Sequence, residues 1–401
     1  MTERLDQSRI LIYSHDSFGL GHLRRCRSIA HSLVAQYKGL SVLILSGSPI
    51  IGSFDFKARV DFVRIPGVIK LRDGEYTSLG LHIDLEQTLL MRESIIYHTA
   101  ATFKPDIFLV DKEPTGLQGE VTTTLEMLKQ QGAINVLGLR DVMDDPILLK
   151  AEWERKQVAP VLENLYHDIW VYGLEEMGSP VEGLDLPASI TSKISYTGYL
   201  GREIPSDRNW VSPISHDDPF ILVTAGGGGD GVEMVDWVIR AYEVDQQQPY
   251  RAIIVTGPFM PPAEQQEFHE RCDALSNVEI LTFDSHIELL MERAIAIVAM
   301  GGYNTFCEIL TLDKPALIIP RSVPRQEQLI RAERAVKLNL VSMLDPAGER
   351  DPLQMAAAIR ALPEQAKPSL ANVPGLLAGH ENIAEMVREY FEPLAQESIT
   401  A

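Results

Sequence analysis

Short apolar runs alternate with longer amphipathic stretches along this chain, and this alternation is the feature that most constrains its fold. Several runs are apolar throughout, as strands buried on both faces of a parallel sheet must be. The alternation therefore predicts an α/β fold of parallel strands with helices between them. The predicted strands are residues 9–14, 40–46, 61–65, 107–110, 134–139 and 167–172, then 220–224, 251–256, 278–281, 295–300 and 316–320, and the clearest helices are 22–37, 232–243, 262–274 and 326–338.

The pattern starts again after residue 205. Residues 205–219 are rich in Pro, Ser, Asp and His without periodicity, which is typical of a linker between domains. A length of 401 residues also exceeds what one core usually supports. We predict two Rossmann-like parallel-sheet domains facing a cleft, residues 1–205 and 206–380, and a closing helix within 381–401 that crosses back to the first domain.

The composition excludes several classes of protein. Acidic residues outnumber basic ones by 56 to 36, giving a net charge of −20, which opposes binding to nucleic acid. Three widely spaced cysteines suit a reducing compartment, so we expect a cytoplasmic protein. The early apolar run at residues 10–13 is too short for a signal peptide, and we expect no integral membrane segment. Cys and His lack zinc-ligand spacing, so no metal is expected.

The first candidate site follows the first predicted strand, in the sequence SHDSFGLGHLRR. Glycines at a strand's carboxyl end let the backbone approach a ligand, and the following helix N-terminus favours an anion. Gly19, Gly21 and the nearby Arg25 fit an acceptor or phosphate loop. His22 is the candidate general base, because imidazole titrates near neutral pH. The alternative is that His22 only hydrogen-bonds locally within the first helical turn.

A second candidate site, GGGGDG at residues 226–231, again joins a strand to a helix. Glycine costs backbone entropy on folding, so such a run indicates amides that converge on a bulky anion such as a diphosphate. The Walker motif is excluded because no Lys-Ser or Lys-Thr follows. A flexible turn is the alternative. The candidate donor residues here are Gly226, Gly227, Gly228 and Gly229.

A third site, MGGYNTFCE, repeats the arrangement of strand, glycines and helix. Gly301 and Gly302 allow close approach of a ligand, and Asn304 or Thr305 is placed to contact phosphate. Glu308 lies one to two turns into the helix and is placed to bind the vicinal hydroxyls of a ribose. The alternative is that Asn304 or Thr305 caps the helix and Glu308 is solvated.

Two further segments add polar groups. The loop after residue 320 leads into a polar helix start, where Glu327 and Gln328 are suited to the hydroxyls of a sugar. Arg202 ends the first half and is a candidate for a charge-assisted bond to phosphate. Each segment alone is weak, and for the first a solvated helix start is the simpler interpretation.

Together these residues resemble the GT-B superfamily, in particular the branch of the N-acetylglucosaminyltransferase that makes the lipid intermediate of peptidoglycan. The likeness covers most of the chain and is strongest over residues 283–332, where the motifs occur in family order and spacing. It implies a nucleoside-diphosphate sugar as donor, UDP-linked by family default, and no cofactor. It also implies that Glu308 holds the ribose, that loop 226–231 and Thr305 hold the diphosphate, that Glu327 and Gln328 hold the sugar, that Arg202 holds a phosphate and that the backbone near Phe283 contacts the base.

The N-terminal loop departs from that branch, because Phe18 and Leu20 interrupt its glycines. The stretch GLGHLRRC is more similar to a nucleotide-sugar hydrolase of sialic-acid-like pathways, which uses water as acceptor. A related 2-epimerase shares the fold but needs acidic residues that do not align. We therefore predict an inverting, metal-independent glycosyltransferase whose acceptor is a small molecule, a glycan or lipid-linked. A hydrolase and a non-catalytic nucleotide-sugar sensor are the alternatives.

Overall fold

The computed structural model describes residues 3–5, 7–15, 21–70, 76–204, 210–214, 218–284 and 286–397. The chain divides into two compact units, a first unit of residues 1–200 with 375–401 and a second unit of residues 201–374. These boundaries lie five or six residues before those expected from the sequence. Among the described residues, no helix has the length and apolarity needed to cross a membrane.

The first unit is an α/β unit centred on a parallel sheet. Its strands lie in the order β11-β10-β9-β8-β2-β4-β5. The strands are β1 Glu3–Arg4, β2 Arg9–Ser14, β3 Tyr37–Lys38, β4 Ser41–Ser46, β5 Val60–Arg64, β6 Val68–Lys70, β7 Tyr76–Ser78, β8 Ile107–Asp111, β9 Ile134–Arg140, β10 Asp168–Tyr172 and β11 Ile194–Tyr196. The helices are α1 Gly21–Gln36, α2 Leu85–Phe103, α3 Thr122–Gln130, α4 Pro146–Arg155, α5 Val158–Leu165 and α6 Ala188–Thr191.

The order of the strands decides which loops meet. Because β2 lies between β4 and β8, the ends of β2 and β8 are neighbours at the carboxyl edge of the sheet. Helix α1 packs on this sheet through the predicted apolar face, and Cys26, Ile29 and Leu33 are each about 1% exposed. The first turn of α1 is thereby fixed next to the end of β8.

The second unit repeats this architecture. Its parallel strands lie in the order β14-β13-β12-β15-β16-β17, so the predicted α/β class is confirmed in both halves of the chain. The strands are β12 Phe220–Thr224, β13 Arg251–Val255, β14 Val278–Leu281, β15 Ala296–Ala299, β16 Ala316–Ile318 and β17 Ser342–Met343. The helices are α7 Val232–Val244, α8 Pro262–Asp273, α9 Ile287–Arg293, α10 Tyr303–Thr311, α11 Glu327–Lys337 and α12 Pro352–Ala361.

The chain ends in a helix that belongs to the first unit. Helix α13 spans Gly379–Glu397, and Asn382 donates its side-chain amide to the carbonyl of Thr197 over 2.8 Å. The hydroxyl of Tyr37 donates to the carbonyl of Ala384 over 2.7 Å. Both bonds tie α13 to segments of residues 1–200, so the polypeptide returns to its first unit after completing the second.

Candidate functional site

The first half of the candidate site is a histidine–aspartate pair in the first unit. His22 lies in the first turn of α1 and Asp111 is the last residue of β8. The Nδ1 atom of His22 is 2.5 Å from Oδ2 of Asp111. The Asp111 side chain is 1% exposed and that of His22 is 18% exposed. The carboxylate is therefore enclosed, while the imidazole keeps part of its surface in contact with solvent.

The pair fixes which imidazole nitrogen can act as a base. An ionised carboxylate only accepts hydrogen bonds, so Nδ1 of His22 carries the proton that it donates to Asp111. In the neutral ring, Nε2 then has the free lone pair. An orienting carboxylate of this kind is the usual partner of a histidine that acts as general base. Asp111 was missed in the sequence, although an acidic residue that ends an apolar strand was a usable signal.

Arg25 does not form the ligand-facing phosphate contact that we predicted. Its side chain is 2% exposed, and it donates to both oxygens of Asp111, from Nε over 2.9 Å and from Nη2 over 2.7 Å. Its guanidinium also lies 5.8 Å from the centre of the Tyr172 ring. The correction has a simple physical reason, because a buried guanidinium needs a buried anion, and Asp111 is that anion.

Burial and neighbouring charges together set the pKa values in this cluster. Burial alone would raise the pKa of Asp111, but Arg25 and then His22 outweigh it, so the pKa lies well below its ordinary value. Burial lowers the pKa of His22, and of the nearby charges Asp111 opposes this shift while Arg25 and Lys112 add to it. The cluster thus favours an ionised Asp111 beside a neutral imidazole.

A second buried network lies beside this pair. The Tyr13 hydroxyl donates to Glu120 over 2.6 Å, and Arg92 donates to both oxygens of Glu120 over 2.6 Å. The His15 ring lies edge-on to that of His22, with centroids 5.8 Å apart, and burial holds the pKa of His15 well below its ordinary value. His15 is thus buried, with 6% of its surface exposed. Gly21 begins α1, and the predicted Gly19 lies outside the described residues.

In the second unit, two of the predicted glycine segments lie side by side. Strand β12 pairs with β15, with Thr224 opposite Ala299, so the loops that follow these strands leave the same edge of the sheet. A Cβ atom on Gly231 would lie 3.6 Å from the sulfur of Met300. The loop 226–231 and the start of the segment 301–308 are therefore adjacent, as a common ligand site requires.

Only some positions of the glycine-rich loop require glycine for the backbone to fold as it does. Gly226 and Gly228 have φ values of +63° and +90°, a region that glycine adopts without steric cost. A Cβ on Gly228 would lie 2.4 Å from the carbonyl oxygen of Thr256, whereas one on Gly229 would meet no atom within 4 Å. Gly228 is thus required by the fold. Gly229 has open space beside it, which is the space a ligand needs.

Helix α10 provides an uncapped N-terminus beside these loops. Its N-cap is Gly302, which has no side chain with which to cap the first turn. Arg202 donates to the side-chain oxygen of Asn304 in that first turn, and its backbone amide donates to the hydroxyl of Thr311 over 3.1 Å. A guanidinium and a helix N-terminus thus lie together, an arrangement that favours an anion. Thr305 lies in the same helical turn.

Glu308 is buried within α10 and is 4% exposed. The alternative that Glu308 is solvated is therefore wrong. The side chain follows the uncapped first turn by about one turn of helix.

A residue missed in the sequence, Arg321, connects the remaining predicted residues. It follows β16 and donates to Asp230 of the glycine-rich loop and to Glu327 at the start of α11. Its backbone amide donates to Oε1 of Gln328 over 3.0 Å. Glu327 is 6% exposed. The loop and the predicted sugar-binding pair are therefore joined through one cation, which the sequence did not reveal because Asp230 lies 91 positions from Arg321 in the chain.

Phe283 follows β14 and is 61% exposed, as an aromatic side chain on a ligand-facing rim is expected to be. Its role toward a base stays a prediction. Among the described residues, no group of three or more His, Cys, Asp or Glu is arranged to hold a metal ion. Positive groups described at this edge of the second unit include Arg202, Arg321 and Arg331, which donates to the carbonyl of Gly301 over 3.1 Å.

Comparison with known proteins places these features in a family context. Residues 220–385 match the model of the glycosyltransferase family 28 C-terminal domain. This range covers almost all of the second unit that follows β12, together with the start of α13. The glycine-rich loop, α10 and the start of α11 all fall within the match.

Two relatives are similar in sequence. An N-acetylglucosamine transferase of Limosilactobacillus reuteri, which uses UDP-N-acetylglucosamine and a pyrophosphoryl-undecaprenol acceptor according to its name, is 26% identical over 35% of this chain and 38% of its own length. The chain thus spans well under two thirds of that relative. An uncharacterised glycosyltransferase of Methanosarcina mazei is 23% identical over 75% of this chain and 77% of its own length.

One solved structure shows how far the fold is shared. The calicheamicin glycosyltransferase CalG4 has a TM-score of 0.62 at 16% identity, over 96% of this chain and 98% of its own. At this identity the likeness concerns the fold alone. It extends over both units, including residues 1–200 of the first unit, which the family model does not cover.

Proposed function

For a chain that has the GT-B glycosyltransferase fold and a region matching the glycosyltransferase family 28 C-terminal domain, we propose that it transfers a sugar from a nucleoside-diphosphate sugar to an acceptor hydroxyl. The observation that carries the proposal is the His22–Asp111 pair, a solvent-reachable imidazole oriented by a buried carboxylate. The match of the second unit to a glycosyltransferase domain supports the donor half.

The second unit binds the donor in this proposal. Backbone amides of loop 226–231 and the first turn of α10 surround the diphosphate, because the loop is built of glycines and the N-cap of α10, Gly302, has no capping side chain. Glu308 holds the ribose hydroxyls, and Glu327 with Gln328 holds the sugar. Phe283, at the exposed end of β14, contacts the base. UDP is the first donor nucleotide to test, since the name of the Limosilactobacillus relative specifies it.

The first unit supplies the base. Nε2 of His22 removes the proton of the acceptor hydroxyl, and the oxygen attacks the anomeric carbon as the bond to the diphosphate breaks. One displacement of this kind inverts the configuration at that carbon. Asp111 keeps the imidazole in the tautomer that leaves Nε2 available, and its carboxylate stabilises the imidazolium that forms.

The leaving group acquires negative charge as its bond to the sugar breaks. Arg202 supplies positive charge and the first turn of α10 supplies aligned dipoles at the carboxyl edge of the second sheet. Such fixed groups stabilise a developing anion without a metal ion. We therefore propose a metal-independent reaction, for which unchanged turnover after treatment with EDTA is the expected result.

The direct test is release of nucleoside diphosphate from a panel of nucleotide sugars, with and without candidate acceptors. Release that depends on an acceptor supports transfer. Release in its absence, with free sugar as product, favours the hydrolase that uses water. Tight donor binding without turnover across the whole panel contradicts both transfer and hydrolysis and favours a non-catalytic nucleotide-sugar sensor.

The base assignment is tested with His22→Gln. We expect turnover to fall by about 10²- to 10⁴-fold with donor affinity nearly unchanged, since the base acts only on the acceptor. His98→Gln is the matched control, because His98 is exposed on α2 of the same unit. Full activity of His22→Gln would remove the base from the mechanism.

A further inference from the structure

Arg25 alters the electrostatics of the pair that carries the proposed function. Its Nη2 atom and Nδ1 of His22 lie 3.0 Å apart, and both contact the same oxygen, Oδ2 of Asp111, over 2.7 and 2.5 Å. Since Nδ1 donates to Asp111, it cannot also accept from Arg25. The short separation thus brings a cation against the imidazole, with one carboxylate between them.

A histidine–carboxylate pair on its own favours the charged imidazolium, because an opposite charge nearby stabilises it. Here the carboxylate is already engaged by a buried guanidinium through two parallel hydrogen bonds, the strongest geometry for such a pair. Protonation of His22 would place two cations in contact with one anion. The other groups facing the ring are Lys112, which follows Asp111, and His15, which follows β2.

We propose that Arg25 is a positioning residue that neutralises Asp111 but leaves it as the hydrogen-bond acceptor of His22, so that the imidazole stays uncharged and its Nε2 accepts a proton at neutral pH. Arg25 touches neither acceptor nor donor, since its side chain is 2% exposed. It acts through Asp111, and its planar fork holds the carboxylate in one orientation. The role rests on the proposed function of His22 as base.

The protonation state of His22 can be measured without any substrate. We would record ring ¹H–¹⁵N correlation spectra of the labelled full-length chain from pH 5 to 9 and assign His22 by its loss in His22→Gln. In the wild-type protein we expect a neutral ring at pH 7 with the proton on Nδ1. A His22 that is charged at pH 7, or protonated on Nε2, overturns the proposal without any variant of Arg25.

Variants of Arg25 then distinguish the effect of its charge on His22 from the effect of its shape. In Arg25→Gln we expect the pKa of His22 to rise by about one unit or more, because the repelling cation is gone while Asp111 remains. In Arg25→Lys the charge is kept, so the pKa should stay within about half a unit of the wild-type value. Arg64→Gln is the control of equal charge change, since Arg64 is exposed at the end of the edge strand β5, and it should leave His22 unchanged.

A folded Arg25→Gln in which the pKa of His22 is unchanged or lower would overturn the proposal, since Arg25 would then serve only to keep Asp111 ionised. If Arg25→Gln does not fold, the wild-type spectrum and Arg25→Lys still decide the matter. Because the titration needs no donor or acceptor, its outcome is independent of whether the chain transfers sugar. Failure of the transfer assay and failure of this proposal are therefore distinguishable.

Discussion

At the scale of single residues, the sequence identified candidate site residues but not the residues that they contact. His22 and Glu327 were identified because each lies at the start of a helix that follows a strand, and Glu308 because it lies one to two turns into such a helix. Asp111 was missed because its pairing with His22 spans 89 positions, and the order of strands that brings them together cannot be derived from the sequence alone. The same reason explains Arg25, whose burial depends on that carboxylate.

Glu308 leads to a prediction at this scale. Replacement by Gln keeps the shape but removes the charge that, in our proposal, accepts hydrogen bonds from two ribose hydroxyls, and a hydrogen bond to a charged group is worth about 1.5–3 kcal/mol. We expect affinity for UDP to fall about tenfold or more, as measured by calorimetry. Glu333→Gln, at an exposed position of α11, is the control. Equal affinity in the two variants would exclude the ribose contact.

A prediction of pH dependence also belongs to single residues. The pKa of His22 is lowered by its burial, so the neutral base persists below the ordinary histidine value of about 6.5. Turnover should therefore stay constant from neutral pH to a value below about 6.5. At still lower pH it should fall, as the ring takes up a proton. The measurement is kcat/KM against pH, and an acid limb above pH 7 contradicts it.

At the scale of elements, the bounds of the strands were largely predictable. Strands β2, β12 and β14 have the predicted ends. For β2 and β12 the reason is that a strand buried on both faces must be an apolar run. The short pair β6 and β7 was not predicted, since its few residues carry no periodic pattern. The glycine-rich loop was located correctly, but only the structure separates the glycines that the fold needs from those it leaves open.

That separation gives a paired prediction for the loop. Gly228→Ala places a Cβ 2.4 Å from the carbonyl of Thr256 at a φ of +90°, so the melting temperature should fall, by a loss of about 1–3 kcal/mol. Gly229→Ala meets no protein atom, so the melting temperature should stay unchanged while affinity for UDP falls. If Gly229→Ala binds UDP like the wild type, the ligand does not approach that position.

At the scale of the whole molecule, the doubled α/β architecture was predictable from the repeated alternation. A closing helix that crosses back to the first domain was also expected, but the surface on which α13 packs depends on tertiary contacts. Its hydrogen bonds to Thr197 and Tyr37 join residues that are 185 and 347 positions apart. An amphipathic pattern predicts that a helix exists and does not specify the surface on which it packs.

Acid sensitivity is a property at this scale. The pKa of Glu113 is lowered to about 2, because the neighbouring Lys112, His15 and Lys156 outweigh the effect of burial. The stability that Glu113 contributes is therefore present above its unfolded pKa of about 4.5 and is lost as pH falls toward 2. His15 reduces stability already at higher pH. Burial lowers the pKa of His15 in the folded protein, so the unfolded chain takes up this proton first, below about pH 6.5.

Stability to urea should therefore decline from about pH 6.5 downward and fall more steeply below about pH 4.5. The difference between wild type and Glu113→Gln should shrink from pH 5 to pH 3, because the unfolded chain takes up a proton at Glu113 while the folded carboxylate, with its pKa of about 2, stays largely ionised. Glu126→Gln, at an exposed position of α3, is the control and should show no such change. A constant difference for Glu113→Gln would contradict the assigned ion pairs.

The central claim is that the carboxyl edge of the second sheet binds a nucleoside diphosphate. Calorimetric titration of the full-length chain with UDP, ADP, GDP, CDP and dTDP, each beside its nucleoside, tests it most directly. The account predicts saturable one-to-one binding of at least one diphosphate, tighter than its nucleoside and weakened in Gly229→Ala. The absence of saturable binding for every diphosphate, or equal affinity for a diphosphate and its nucleoside, would contradict it.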